Sequence, residues 1–223
     1  PPPPPPPRRS MTAVTSLLVF LGLTVTLLIV WGQSWPGRLR LFVAQSLLLA
    51  LLAGALGIMA DKPGLLAVAG VVVLLKAWFI PRALARIGAG TPVRPVAPGR
   101  SSAIPLLVAG GLVVVAYIVM RPVNAASALP TAGGIPLAFA MALIGLFVCV
   151  TGRDALGHLL GFLMFENGIF ALALLTTYGL PGLVEAGVFL DVLAIVLLME
   201  GVVLRIRREH DSIEIDRLRE LRE

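Results

Sequence analysis

The stretch from Ala155 to Tyr178 reads ALGHLLGFLMFENGIFALALLTTY and decides the fold class. Its apolar residues run on continuously, and Glu166 is the one residue in it with a formal charge at pH 7. A helix of about 20 apolar residues can cross the hydrocarbon core of a bilayer while satisfying its own backbone hydrogen bonds. A strand of a membrane β-barrel would alternate apolar and polar residues. The stretch therefore predicts a transmembrane α-helix.

Six further apolar runs predict an all-α membrane protein of about seven transmembrane helices. Of the 223 residues, 58% are hydrophobic and only 13% are charged, whereas soluble domains have about 25% charged residues. The mean hydropathy of the chain is +0.96. The other predicted spans are Thr12–Trp31, Leu41–Met59, Gly64–Leu84, Ala103–Met120, Ile135–Thr151 and Leu183–Leu204.

Proline-containing turn signals separate most of these runs, so consecutive helices should pack as antiparallel neighbours. Pro81 lies inside the third run and predicts a kink there. We expect residues 1–11 to form a Pro-rich disordered leader, 12–205 the helix bundle and 206–223 a charged cytoplasmic tail. The turn signals are Trp35-Pro36-Gly37, Lys62-Pro63-Gly64, Ala97-Pro98-Gly99, Arg121-Pro122 and Leu180-Pro181-Gly182.

The charge distribution favours a membrane over nucleic acid as the partner of this chain, although the net charge is +6. The arginines lie in alternate loops between apolar runs, as the positive-inside rule requires of cytoplasmic loops. This bias predicts an N-terminus outside and a C-terminus in the cytoplasm of a bacterial or archaeal inner membrane. The single Cys149 excludes a disulfide framework and a multi-cysteine metal cluster. The loop arginines are Arg38, Arg40, Arg82, Arg86, Arg94, Arg100, Arg153, Arg205, Arg207 and Arg208.

Three charged residues fall near the middle of predicted spans: Lys76, Glu166 and Asp191. A charge at the centre of a bilayer costs at least about 2.5–3.5 kcal/mol, so such residues usually have a function. At a rise of about 1.5 Å per residue, each lies roughly 12–16 Å from one membrane face. Two hypotheses follow. The three residues form part of a proton relay, or Lys76 pairs with one carboxylate only to hold helices together.

Other polar residues are weaker candidates for the same path. His158 could admit a proton at the cytoplasmic side, Asn167 could hydrogen-bond between helices, and Glu185 could mark an exit. Glu200 is close enough to the C-terminal arginines to reach them along its span. The sequence has no phosphate-binding loop, nucleophile constellation or zinc signature, so we expect no active site of the kind found in soluble enzymes.

The order and spacing of these motifs resemble component E of hydrogenase-4, a formate-hydrogenlyase type of membrane-bound nickel-iron hydrogenase. The resemblance includes Ala44-Gln45-Ser46-Leu47, Lys76 with Pro81, the stretch Gly161–Gly168, and Leu183–Gly187 followed by Asp191. It implies a subunit without cofactors beside larger antiporter-like membrane subunits. The nickel-iron and iron–sulfur centres would then belong to a soluble hydrogenase arm.

The last three predicted spans are also similar to the small K subunit of respiratory complex I. If Asn167 and Ile215-Asp216 anchor that comparison, the two buried glutamates of the K subunit fall at Leu163 and Ile195. The acids here are Glu166 and Asp191. The resemblance therefore transfers a role and not a position.

Three alternatives to a hydrogenase subunit remain open at the level of sequence. The chain could belong to a cation/proton antiporter-like or inorganic-carbon uptake complex, act as a purely structural anchor, or be a free-standing transporter. A neighbouring gene for a hydrogenase large subunit would favour the hydrogenase interpretation over these alternatives. A structural anchor would tolerate neutral replacements of the charged residues.

The predicted topology can be tested by cysteine labelling in a Cys149→Ser background. We expect cysteines at Thr91 and after Arg208 to react with a membrane-impermeant maleimide only from the cytoplasmic side, because both lie in predicted cytoplasmic segments. A cysteine at Asp61 should react only from outside. Labelling of position 91 from outside would contradict the orientation.

Overall fold

The computed structural model describes residues 8–32, 34–89, 103–127, 129–152 and 154–177, and these form a bundle of helices. Six helices in these ranges are long and apolar enough to span a membrane, so the chain is a multi-pass membrane protein. The predicted seventh span, Leu183–Leu204, and the charged tail lie outside the described residues. The helices are α1 (Arg8–Trp31), α2 (Trp35–Met59), α3 (Pro63–Val72), α4 (Ile80–Ala89), α5 (Ala103–Ala126), α6 (Ile135–Thr151) and α7 (Ala155–Thr177).

Several helices are longer than predicted, because prolines that were interpreted as turn signals lie within them. Pro36 and Pro63 occupy the first turns of α2 and α3, where the missing N–H would have no helical partner anyway. The interpretation of Arg121-Pro122 as a turn was wrong, since α5 continues through Pro122 to Ala126. Helix α1 begins at Arg8, directly after the proline run, so residues 8–11 are helical and not part of a disordered leader.

The third span is one continuous helix with an irregular centre. A π-helical segment, Val73–Phe79, joins α3 to α4, and the N–H of Ile80 donates to the carbonyl of Leu75. Pro81 follows immediately and cannot donate a backbone hydrogen bond. The sequence predicted an irregularity at Pro81, but the structure places it on the preceding residues, with Lys76 at its centre. Such π-helical turns occur frequently at functional sites.

Helices α6 and α7 pack antiparallel at unusually short range, because glycines lie where they cross. A Cβ atom added to Gly145 would lie 2.6 Å from Cα of Phe165, and one added to Gly161 would lie 2.5 Å from Cα of Cys149. A Cβ on Gly168 would similarly lie 2.6 Å from Cα of Ala142. Without hydrophobic solvation to drive association inside lipid, small residues allow the backbone contact that holds helices together.

The buried apolar side chains form two clusters, one toward each end of the bundle. The small cluster lies at the end where α1 meets α2 and α6 meets α7, and the large cluster extends to the opposite end. The small cluster consists of Ile29, Leu39, Phe42, Ile80, Leu84, Val148, Leu160, Leu163 and Met164. The large cluster includes Leu23, Leu49, Val72, Ile144 and Phe170.

Helix α5 lies at the edge of the described bundle. Only Ala109 and Ala116 on this helix are buried. Leu112, Val113 and Met120 are partly buried and pack against the large cluster. Most of its other apolar side chains, such as Leu107 and Ile118, are exposed. Exposed apolar side chains along a spanning helix suit a hydrocarbon environment.

The glycine contacts between α6 and α7 predict contrasting effects of two equally small substitutions. Gly161→Ala should lower the thermal midpoint of the detergent-solubilised protein, because overpacking costs about 1–3 kcal/mol. Gly111→Ala on α5 is the matched control, since a Cβ there would meet nothing within 4 Å, and it should leave the midpoint unchanged or slightly raised. Equal losses in the two variants would contradict the close packing of α6 on α7.

Candidate functional site

A buried ion pair joins the centre of the third span to the centre of α7. The Nζ atom of Lys76 lies 3.3 Å from Oε1 of Glu166, and each side chain is only 2% exposed. The same ammonium group donates a hydrogen bond of 3.0 Å to Oδ1 of Asn167. Lys76 therefore has two oxygen acceptors on neighbouring residues of one helix.

The amide of Asn167 continues this arrangement toward α2. Its Nδ2 group donates to Oε1 of Gln45 at 3.2 Å and to Oγ of Ser46 at 3.3 Å. All three side chains are fully buried. A buried amide without such partners would cost about 1–3 kcal/mol, so these bonds are what allows Asn167 to lie in the core.

Helix α1 completes the set of hydrogen bonds. Nε2 of Gln45 donates to Oγ1 of Thr26 at 2.7 Å, and the Thr26 hydroxyl donates to the carbonyl of Gly22 at 2.7 Å. We call these six residues the polar layer: Thr26, Gln45, Ser46, Lys76, Glu166 and Asn167. The polar layer connects α1, α2, the third span and α7.

The polar layer lies between the two apolar clusters. On each of the four helices, a residue of the small cluster lies one turn away on one side and a residue of the large cluster one turn away on the other. On α2, for example, Phe42 precedes Gln45 and Leu49 follows it, and both are buried. The flanking pairs on the other helices are Leu23 and Ile29, Val72 and Ile80, and Leu163 and Phe170. The charged pair is thus shielded from both ends of the bundle.

The chemical capacity of the polar layer follows from its donors and acceptors. A lysine and a glutamate side chain can each gain or lose a proton, whereas the amides of Gln45 and Asn167 do not titrate in the pH range in which proteins are folded. Proton exchange within the layer is therefore confined to the charged pair. The amides and hydroxyls hold that pair in place, and removal of one partner of a buried pair costs about 3–5 kcal/mol.

The structure brings together three of the predicted site residues: Lys76, Glu166 and Asn167. His158 is not with them, since it is exposed on the first turn of α7 and its Nδ1 lies 2.8 Å from the carbonyl of Asp154. Eight residues separate His158 from Glu166, roughly 12 Å along the helix. Asp191, Glu185 and Glu200 lie outside the described residues.

Sequence reasoning missed half of the polar layer. Gln45 and Ser46 entered only through the resemblance, although a polar pair in the middle of an apolar run was a usable signal. Thr26 gave no signal, because the same helix also contains Thr15 and Thr24. Only the contacts distinguish them: all three hydroxyls donate to carbonyls of their own helix, and Thr26 also accepts from Nε2 of Gln45. Among the described residues, no three His, Cys, Asp or Glu side chains are grouped so that they could hold a metal ion.

Comparison with known proteins shows one relative over nearly the whole chain and more distant relatives over half of it. Component E of hydrogenase-4 from Escherichia coli K12 is 31% identical over 120 residues, which is 52% of this chain and 54% of that protein. The Shigella flexneri component E matches to the same extent. The chain thus spans about half the length of these hydrogenase relatives. No protein-family model matches the chain, and no solved structure matches it.

The relative with the longer match is "Uncharacterized protein Rv0085" of Mycobacterium tuberculosis. It is 38% identical over 200 residues, which is 89% of this chain and 91% of the relative. The chain therefore belongs to the same family of membrane proteins as Rv0085 of Mycobacterium tuberculosis.

Proposed function

We propose that this chain is a membrane subunit of a complex-I-related nickel-iron hydrogenase or a related oxidoreductase, and that it contributes part of a transmembrane proton path. The observation that supports this most directly is the buried Lys76–Glu166 pair at the centre of the bundle. The similarity to hydrogenase-4 component E supports the kind of complex. The chain would supply no metal centre. The soluble hydrogenase arm of the complex would hold the nickel-iron and iron–sulfur groups.

The pair suits proton transfer because it contains an acid and a base in contact within a low-dielectric layer. Charged side chains inside membrane spans are rare, and they commonly mark ion or proton routes. A proton that reaches Glu166 neutralises the carboxylate, and the Asn167 oxygen remains an acceptor for Lys76. In this proposal Asp191 and Glu185 continue the path, and the N-terminus of the chain lies outside.

A structural role is the second candidate, and it has an observation of its own in favour. The polar layer connects four helices: α2 and α7 each contribute two adjacent residues, and α1 and the third span each contribute one. A subunit that only anchors its neighbours would need such cross-links and no proton transfer. A subunit of an antiporter-like or inorganic-carbon uptake complex would need the same cross-links, but protons or cations would still move through such a complex.

Neutral variants of Glu166 distinguish a proton path from a purely structural pair. Glu166→Gln keeps the size and the hydrogen-bonding capacity of the side chain but cannot titrate. We expect the complex to assemble and to lose at least about tenfold in proton translocation, measured as acidification of inverted membrane vesicles during turnover. Glu166→Asp should retain part of the activity.

Asp61→Asn is the matched control for loss of a carboxylate. Asp61 is exposed between α2 and α3 with a φ of 52°, and asparagine also tolerates this left-handed conformation. This variant should behave as wild type. If Glu166→Gln instead prevents assembly, and Lys76→Met combined with Glu166→Gln restores a fully active complex, the pair is structural and the proton path is refuted.

The proposal also predicts that the chain is isolated as part of a larger assembly. Purification through an affinity tag in a mild detergent should yield co-purifying membrane and soluble subunits, with nickel and iron detected by elemental analysis. A homogeneous, active preparation of this chain alone would contradict the proposal and favour a free-standing transporter.

A further inference from the structure

Two residues outside the charged pair determine which atom of Asn167 faces Lys76. We propose that Thr26 and Gln45 are positioning residues, which orient the Asn167 amide so that its carbonyl oxygen, and not its NH2 group, meets the Lys76 ammonium. The proposal deepens the proposed function, because only its consequence for proton movement rests on that function. The orientation itself rests on the contacts of the polar layer.

The Thr26 hydroxyl has one hydrogen-bond partner on its own helix and one on α2. The Thr26 hydroxyl has a single hydrogen, and that hydrogen is directed to the carbonyl of Gly22 in the preceding turn of α1. Toward Gln45 the hydroxyl can therefore only accept. Gln45 must then turn its NH2 group toward Thr26, as the contact of 2.7 Å from Nε2 to Oγ1 shows.

The direction is passed on from one amide to the next. With its NH2 group toward Thr26, Gln45 presents its carbonyl oxygen to Asn167. Asn167 answers with its own NH2 group, which donates to Gln45 and also to Ser46. The remaining polar atom of Asn167 is Oδ1, and this is the atom at 3.0 Å from Nζ of Lys76.

Lys76, at the other end of this series of hydrogen bonds, requires the same direction independently. A lysine ammonium has three donors and no acceptor, so it requires an oxygen from Asn167. If both amides were turned around, Gln45 could still donate to Asn167. The NH2 group of Asn167 would then face the ammonium of Lys76, and two donors would oppose each other. The Thr26 hydroxyl, which donates to Gly22 at one end, and the Lys76 ammonium at the other therefore agree on one arrangement.

A double-mutant cycle in the full chain, purified in mild detergent with its associated subunits, tests this coupling without any assay of proton movement. Thr26→Val removes the hydroxyl and retains the shape, so we expect the thermal midpoint to fall on the order of 5 °C. The same substitution is then made in a background of Lys76→Met with Glu166→Gln. There both amides can turn around at little cost, because no ammonium faces Asn167, and the loss should shrink by at least half.

Two further variants separate positioning from mere loss of a buried hydroxyl. Thr15 is also fully buried on α1, but its hydroxyl donates only to carbonyls of its own helix. Thr15→Val should therefore shift the midpoint equally in both backgrounds. Thr26→Ser retains the hydroxyl and should behave as wild type in both. An equal loss from Thr26→Val in the two backgrounds would overturn the proposal.

The outcome for proton movement is read separately in the same preparations. If the loss of thermal midpoint from Thr26→Val differs between the two backgrounds, and the variant also acidifies vesicles more slowly, both the positioning and the proton path are supported. A context-dependent midpoint with unchanged acidification supports the positioning and argues against the proton path.

Discussion

The fold depends on the requirement that a lysine and a glutamate share one buried position inside a bundle that must dissolve in lipid. Either group alone would destabilise the bundle, because an isolated charge in an apolar interior is far more costly than a paired one. The contact of 3.3 Å between Lys76 and Glu166 satisfies the larger part of this requirement. The oxygen of Asn167 gives Lys76 a further acceptor, and the hydrogen bonds from Asn167 through Gln45 to Thr26 fix the rotation of the helices that contribute these residues.

This requirement also explains why the apolar core is divided. A polar layer of one or two residues on each helix separates the small cluster from the large one, and the boundary falls at the same level on α1, α2, the third span and α7. Apolar packing inside lipid does not specify one rotation of a helix, since lipid and leucine are equally apolar. Hydrogen bonds at a single level do specify it, because a helix turned by one residue would remove its polar side chain from the layer.

The sequence predicted the class of fold and the charged half of the site for clear physical reasons. The all-α membrane prediction is confirmed for six spans, because a run of apolar residues long enough to cross a bilayer has few alternative structures. Glu166 and Lys76 were noticeable because charges are costly there. The uncharged half was not predictable in the same way. Gln45 and Thr26 become part of the site only through helix rotation, and a single sequence does not give the rotation of four helices about their axes. Proline was the other source of error, since Pro122 interrupts hydrogen bonding without ending α5.

The π-helical segment Val73–Phe79 has a consequence for the length of the chain. Its hydrogen bonds close over five residues where those of an α-helix close over four, so the segment contains more residues than a regular helix of equal height. It is in effect an insertion that the helix has absorbed, with Lys76 on the widened turn. Deleting one residue between positions 73 and 79 would return the span to regular α-helix and change the direction in which the lysine leaves the helix axis. Alignments of this family should therefore treat a one-residue gap in the third span as a change at the charged pair, and not as harmless variation in the length of a membrane helix.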